Sequence, residues 1–123
     1  MGGAMEPDAA LQDYCLAWST ADDDARAALL ARVWADDGVY SDPSAQVRGR
    51  AALHAHIGGM HAKMPGTRIV LSTQVSQHHG YLYFGWQMIT ADGDVRIDGV
   101  DFAQVDENGR IAQIVGFFGP PGA

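Results

Sequence analysis

The spacing of apolar residues changes midway along the chain. Leu11, Tyr14, Cys15 and Trp18 recur at i, i+3, i+4 and i+7, which predicts a helix over residues 7–20 with one buried face. Leu29, Leu30, Val33 and Trp34 do the same over 24–36. Asp22, Asp23 and Asp24 stand at its start, where a side-chain oxygen caps the first amides and negative charge suits the helix dipole. Gly38 is placed to end that helix. Val39 to Asp42 then reads as a short extended piece, and Pro43 keeps Asp42 out of helical geometry. A third helix is expected over 51–63, with Leu53, Ile57, Met60 and Met64 as its apolar stripe. Gly58 and Gly59 lie inside it, and each costs up to about 1 kcal/mol relative to alanine. A close neighbour or a bend is expected there.

From Pro65-Gly66 onward the period falls to two. Thr67 to His78 alternates, Tyr81 to Thr90 is rich in aromatic and β-branched residues, and Val95 to Val105 and Arg110 to Phe118 complete the set. Asp92-Gly93 and Asn108-Gly109 are hairpin signals between them. Three helices followed by a four-stranded antiparallel meander make an α+β plan, in which a curved sheet can wrap the helices and leave an apolar pocket. The chain is 123 residues long, so a single domain over 1–123 is expected, with residues 1–6 disordered or an expression remnant.

Charge narrows the partners. Fifteen acidic residues against eight basic ones give a net charge of −7 with no basic cluster, which argues against nucleic acid and against an anionic membrane. No apolar run approaches the roughly 20 residues that span a bilayer. The first ten residues carry neither a basic nor an apolar targeting pattern. The lone Cys15 cannot form an internal disulfide, so a reducing, cytoplasmic setting is expected.

Three side chains invite chemistry. On the strand 95–105 the alternate set is Val95, Ile97, Gly99, Asp101, Ala103 and Val105, so Asp101 is a carboxylate on an otherwise apolar face. If that face is inward, the carboxylate must be paired, hydrogen-bonded or neutral. The partly apolar opposite set, with Val100 and Phe102, leaves the other orientation open. Asp42 before Pro43 reads as a turn residue or as a rigidly held functional carboxylate. Tyr14 lies on the apolar side of the first helix, either as core or as a hydroxyl donor. Trp18, Trp86 and Phe118 suit the wall of a pocket for a flat apolar molecule, and His61 flanks the buried stripe where it can line one. The histidines do not suggest a metal: His54 and His56 point to nearly opposite sides of a helix, His54 and His61 are seven apart, and no HExxH or CxxC motif exists. No GxSxG elbow and no phosphate loop is present, and Cys15 sits mid-helix among apolar neighbours.

The segments Trp34 to Pro43, Arg48-Gly49-Arg50 and Gly99 to Ile111 together resemble the nuclear transport factor 2-like superfamily, in its SnoaL-like branch, over about residues 8–118. That resemblance implies a cone of three helices on a curved sheet, a pocket in the cone and often a homodimer. The same segments are similar to ketosteroid isomerase. This implies Asp42 as general base, with Tyr14 and a neutral Asp101 donating hydrogen bonds to an oxyanion. The chemistry would be proton transfer next to a carbonyl, of isomerase or polyketide cyclase type, on a small apolar substrate and with no cofactor. Two other readings stay open: a non-catalytic binding protein of the same fold, and an epoxide hydrolase of the limonene type, for which Arg96 and Arg68 are the candidate arginines by position.

Overall fold

The computed structural model describes residues 6–123. The expectations for residues 1–5 lie outside it.

Helix α1 spans Pro7–Trp18, α2 Asp23–Val33 and α3 Arg50–Lys63. Pro7 opens α1, where its missing N–H costs nothing. Ala10, Leu11, Tyr14, Cys15, Ala17 and Trp18 are its buried face. Asp22 caps α2 by accepting the Ala25 amide at 2.8 Å. The strands are β1 (Trp34–Asp42), β2 (Ala45–Arg48), β3 (Arg68–Leu71), β4 (Ser76–His78), β5 (Tyr81–Ile89), β6 (Val95–Val105) and β7 (Ile111–Phe118). They form one seven-stranded sheet in the order β2-β1-β7-β6-β5-β3, with β4 also on β5. The three helices pack against it, as an α+β fold.

The second helix stops three residues earlier than its apolar spacing predicts. Trp34 is already extended, and it pairs with Ile111 at the start of β7. Strand pairing therefore overrides the helical pattern. Gly38 does not cap α2. It lies in the irregular stretch of β1 between Trp34 and Val39, and a Cβ on it would come within 2.6 Å of the Trp34 indole nitrogen. Its missing side chain lets the indole fold back over the strand. The short piece expected at 39–42 is thus the second half of a nine-residue strand. β1 runs parallel to β7, so the sheet is mixed rather than an antiparallel meander.

The expected strand 67–78 is also broken in two. Between β3 and β4 the Thr73 hydroxyl, not a backbone carbonyl, accepts the Gly85 amide at 2.8 Å. A Cβ on Gly85 would lie 2.7 Å from the Ser72 hydroxyl, so this side-chain crossing depends on glycine.

The paired glycines of α3 serve different ends. Against Gly58 lies Arg26, 1% exposed, whose Nη1 donates to the Thr20 and Ala21 carbonyls at 2.9 and 3.2 Å. Its Nη2 meets Asp23. A buried guanidinium left unpaired would be costly, and these partners, all in or beside the α1–α2 connection, hold it in place against Gly58 of α3. A Cβ on Gly58 would fall 2.8 Å from that Nη2, whereas one on Gly59 meets nothing within 4 Å. Gly59→Ala is expected to raise the melting temperature, by about 4 °C for roughly 1 kcal/mol of helix propensity. Gly58→Ala is expected to lower it, because displacing Arg26 outweighs the same gain. Thermal unfolding of the two variants side by side checks this, and a rise in both would show that Arg26 yields freely.

Candidate active site

Between the helices and the inner face of the sheet lies a cavity of about 520 Å³. Its floor is set by three neighbouring strands. Asp101 of β6 stands opposite Gly116 of β7. On the other side Ser41 of β1 pairs with Val115, which brings Asp42 beside Gly116. The order is therefore Asp42, Gly116, Asp101 across the sheet. With adjacent strands about 4.8 Å apart, the two aspartate backbones are roughly 9–10 Å from each other. A Cβ on Gly116 would lie 2.6 Å from Asp101 Oδ1 and 3.7 Å from the Asp42 Cβ. Only glycine keeps the space between the carboxylates clear.

Asp42 carries both of its readings at once. Oδ1 accepts the Ser44 amide and hydroxyl, each at 2.7 Å, and the Ala45 amide at 3.0 Å, which is the turn. Oδ2 accepts the Tyr40 hydroxyl at 2.5 Å. Tyr40 and Asp42 are two apart on a strand and so share its inner face. Tyr40 is buried, with its ring 5.3 Å from Trp18 and 5.7 Å from His56. Partial burial raises the pKa of Asp42, but the hydrogen bonds from Tyr40 and Ser44 outweigh it and hold the carboxyl below its ordinary value. Asp42 is ionised at neutral pH.

Asp101 is the opposite case. It is 6% exposed and accepts no hydrogen bond among the described residues. Burial pushes it up to about 7, helped by the charge on Asp42. The Trp86 indole N–H works the other way, though it lies outside hydrogen-bonding geometry and has no partner. Trp86 lies over its cross-strand partner Gly99, where a Cβ would be 2.5 Å from the indole ring.

Tyr14 is 2% exposed, stacked on Trp34 at 5.9 Å and edge-on to Trp18 at 6.5 Å. Burial and the nearby Tyr40 and Asp101 raise its pKa well above the usual phenol. No hydrogen bond joins it to Asp101 among the described residues. The Trp18 indole N–H is likewise without a partner. Burial pushes the Cys15 thiol up to about 12, so it stays protonated.

Tyr14, Trp18, Asp42, Trp86, Asp101 and Phe118 all line this one cavity. His61 does not. It is buried on the other flank of α3, where its Nε2 lies 2.8 Å from the Trp18 carbonyl and joins the end of α1 to α3. A position beside the apolar stripe turned it toward a helix rather than the cavity. The histidine that does face the cavity is His56, with Gly59, Met60 and Lys63 on the same side of α3. Their spacing of three, four and seven was the available signal. Tyr40 was also missed, although it lies two residues before Asp42. Of the two candidate arginines, Arg96 lines the cavity and Arg68 does not. Among the described residues no three histidine, cysteine or carboxylate side chains converge as metal ligands.

This architecture, helices closing a carboxylate-bearing cavity on a mixed sheet, is the nuclear transport factor 2-like fold. Residues 11–114 match the SnoaL-like domain, and the chain belongs to that family. A proposed isomerase of the SnoaL-like family from Agrobacterium tumefaciens is similar over 91% of this chain and 96% of its own, at 33% identity and a TM-score of 0.85. A nuclear transport factor 2-like protein of unknown function from Mesorhizobium loti is 23% identical over 93% of this chain and 91% of its own, with a TM-score of 0.68. A protein of ketosteroid isomerase-like fold from Catenulispora acidiphila, in complex with trimethylamine, shares 12% identity over 87% of this chain and 82% of its own, with a TM-score of 0.70. No curated protein matches the chain.

The environment of Asp101 has a consequence for stability. Its folded pKa, about 7, lies above the roughly 3.9 of an unfolded aspartate, so the native state holds a proton that the unfolded chain has lost. Stability from this group is full below about pH 4 and is lost as pH rises toward 7. Asp42, shifted the other way, keeps its contribution until pH falls below the ordinary carboxylate range. Urea denaturation at pH 4.5, 6 and 8 should show wild-type stability declining across the series. Asp101→Asn should flatten that decline and be more stable than wild type at pH 8, by roughly 1–3 kcal/mol. A decline that survives the substitution would assign it to another group.

Proposed function

We propose that the protein catalyses proton transfer next to a carbonyl, as an isomerase or cyclase acting on a small, largely apolar substrate. The observation that carries this reading is the opposed state of two carboxylates in one cavity: Asp42 ionised, Asp101 neutral up to about pH 7. A pair of titratable groups driven apart by their surroundings is how one site holds a base and an acid together.

Asp42 Oδ2 takes the proton from the carbon next to the carbonyl, and the electron pair moves onto the carbonyl oxygen. The Tyr14 hydroxyl and the Asp101 carboxylic acid donate to that oxygen as charge builds on it. Such donors are worth about 3–4 kcal/mol each in a site closed to water. Protonated Asp42 then returns its proton to a different carbon, and the oxyanion collapses to the shifted product. No external oxidant or cofactor enters this balance. The Tyr40 hydrogen bond lowers the basicity of Asp42 and fixes the direction of its free lone pair. We read the aromatic outer face of the sheet, where Tyr83 and Phe117 are exposed, as the surface of a homodimer, and the protein as cytoplasmic.

The four hydrogen bonds on Asp42 also suit a binding protein in which that residue only shapes a turn. Turnover separates the two. With a β,γ-unsaturated ketone, followed by the absorbance of the conjugated product, Asp42→Asn should lose about 10²–10⁴ in kcat. The wild-type rate should stay level through mildly acidic pH, because Asp42 is held below its ordinary value, and fall above pH 7 as Asp101 ionises. Asp101→Asn should keep some rate and lose the alkaline fall. Normal turnover by Asp42→Asn would leave the binding reading standing.

A further inference from the structure

The mouth of the cavity differs from its floor in a way the proton-transfer chemistry does not use. Lys63, at the end of α3, and Arg96, near the start of β6, both line the cavity and both are exposed, whereas Asp101 and Tyr14 are deeply buried. Neither cation has an ion-pair or hydrogen-bond partner among the described residues. Asp94 and Asp98, two residues either side of Arg96, make no bridge to it. Arg26, Arg32 and Arg50 are each paired to an aspartate; Arg48, Arg68 and Arg110 have no ion pair among the described residues either, but of the unbridged cations only Lys63 and Arg96 line the cavity. In a chain of net charge −7, two unneutralised cations on one rim stand apart from the surrounding field.

Arg96 reaches the cavity through a defect in the sheet. Met88 pairs with Ile97 and Ile89 with Val95, so one step on β5 is matched by two on β6, and Arg96 is the extra residue. Strict alternation would turn residue 96 to the face opposite Ile97 and Asp101. A bulge bends the strand and re-aims the side chain it releases. Between this rim and the carboxylate floor the wall is apolar, with Met60, Met64, Met88 and Ile97. Methionines give an adaptable surface for a ring system of undefined shape.

We propose that the ligand of this cavity is an amphipathic acid: an apolar ring body that reaches toward Asp101, carrying an anionic group held at the mouth by Lys63 and Arg96. This deepens the substrate class of the proposed function and rests on the same cavity, but on its binding rather than on its chemistry. The anion would sit at the rim, away from the ionised Asp42.

Two dyes with one aromatic skeleton test it without turnover: anilinonaphthalene sulfonate, and phenylnaphthylamine, which lacks the sulfonate. Both report an apolar site by fluorescence. Wild type should bind the sulfonate more tightly, by about tenfold at low ionic strength, from two rim contacts. The preference should shrink in high salt. The double variant Lys63→Met/Arg96→Met should bind both dyes equally, with phenylnaphthylamine affinity unchanged. Arg68→Met, which removes an exposed cation outside the cavity, should behave as wild type. Equal affinities in wild type, a preference that survives the double variant, or a preference abolished by Arg68→Met would each overturn the proposal, as would failure of both dyes to bind. Because only binding is read, a result against Asp42 as base leaves this outcome as it is.

Discussion

The parallel pairing of β1 with β7 is the contact on which the rest of the site depends. It brings a strand that follows the second helix alongside the last strand of the chain, and in doing so sets Asp42 beside Gly116. Without it Asp42 would be an ordinary turn residue before a proline. With it the same residue faces a cavity shared with Asp101, a carboxylate nearly sixty positions further on. The hydrogen bonds of two strand pairs, rather than any side-chain contact, hold the aspartates in relation to each other.

Around that frame the cavity is graded. Its inner end is buried and rich in donors without acceptors, its middle is apolar, and its rim is charged. The two carboxylates are driven apart because Asp42 is only partly buried and has hydrogen-bond donors built into its own loop, whereas Asp101 is almost fully buried. Asp42 receives four hydrogen bonds from residues within three positions of itself. Asp101, in the middle of a regular strand, has its backbone engaged with neighbours on both sides and no local donor to spare. The contrast between the ionised and the neutral carboxylate thus follows from secondary structure: a strand end can solvate a carboxylate, and a strand centre cannot.

Much of this was legible in residue order. The three helices and the last three long strands show themselves because each buries one face, and periodicity reports burial directly. The same alternation set Asp101 on an apolar face, while Val100 and Phe102 on the opposite set left its orientation open. What periodicity cannot report is pairing between distant segments. Trp34 continues the helical spacing of α2 perfectly well, and only the presence of Ile111 explains why the chain leaves the helix there. The split of the expected strand 67–78 depends on one threonine hydroxyl meeting one glycine amide, again across a long interval. His61 and His56 illustrate the finest limit. Both lie on one helix beside its apolar stripe, about 140° apart around its axis, and only His56 lines the cavity.

The glycine between the aspartates has a consequence for how such a site can change over time. Because the two aspartates are separated by whole strands, their backbone spacing comes in steps of one strand and does not follow each exchange of a surrounding side chain. The walls of the cavity are set by side chains rather than by strand pairing: the methionine, isoleucine and phenylalanine there also pack on the core or on Trp86, and apolar exchanges that keep volume are tolerated at such positions. A lineage built on this sheet is free to alter what it admits while inheriting, intact, the distance between its two carboxylates.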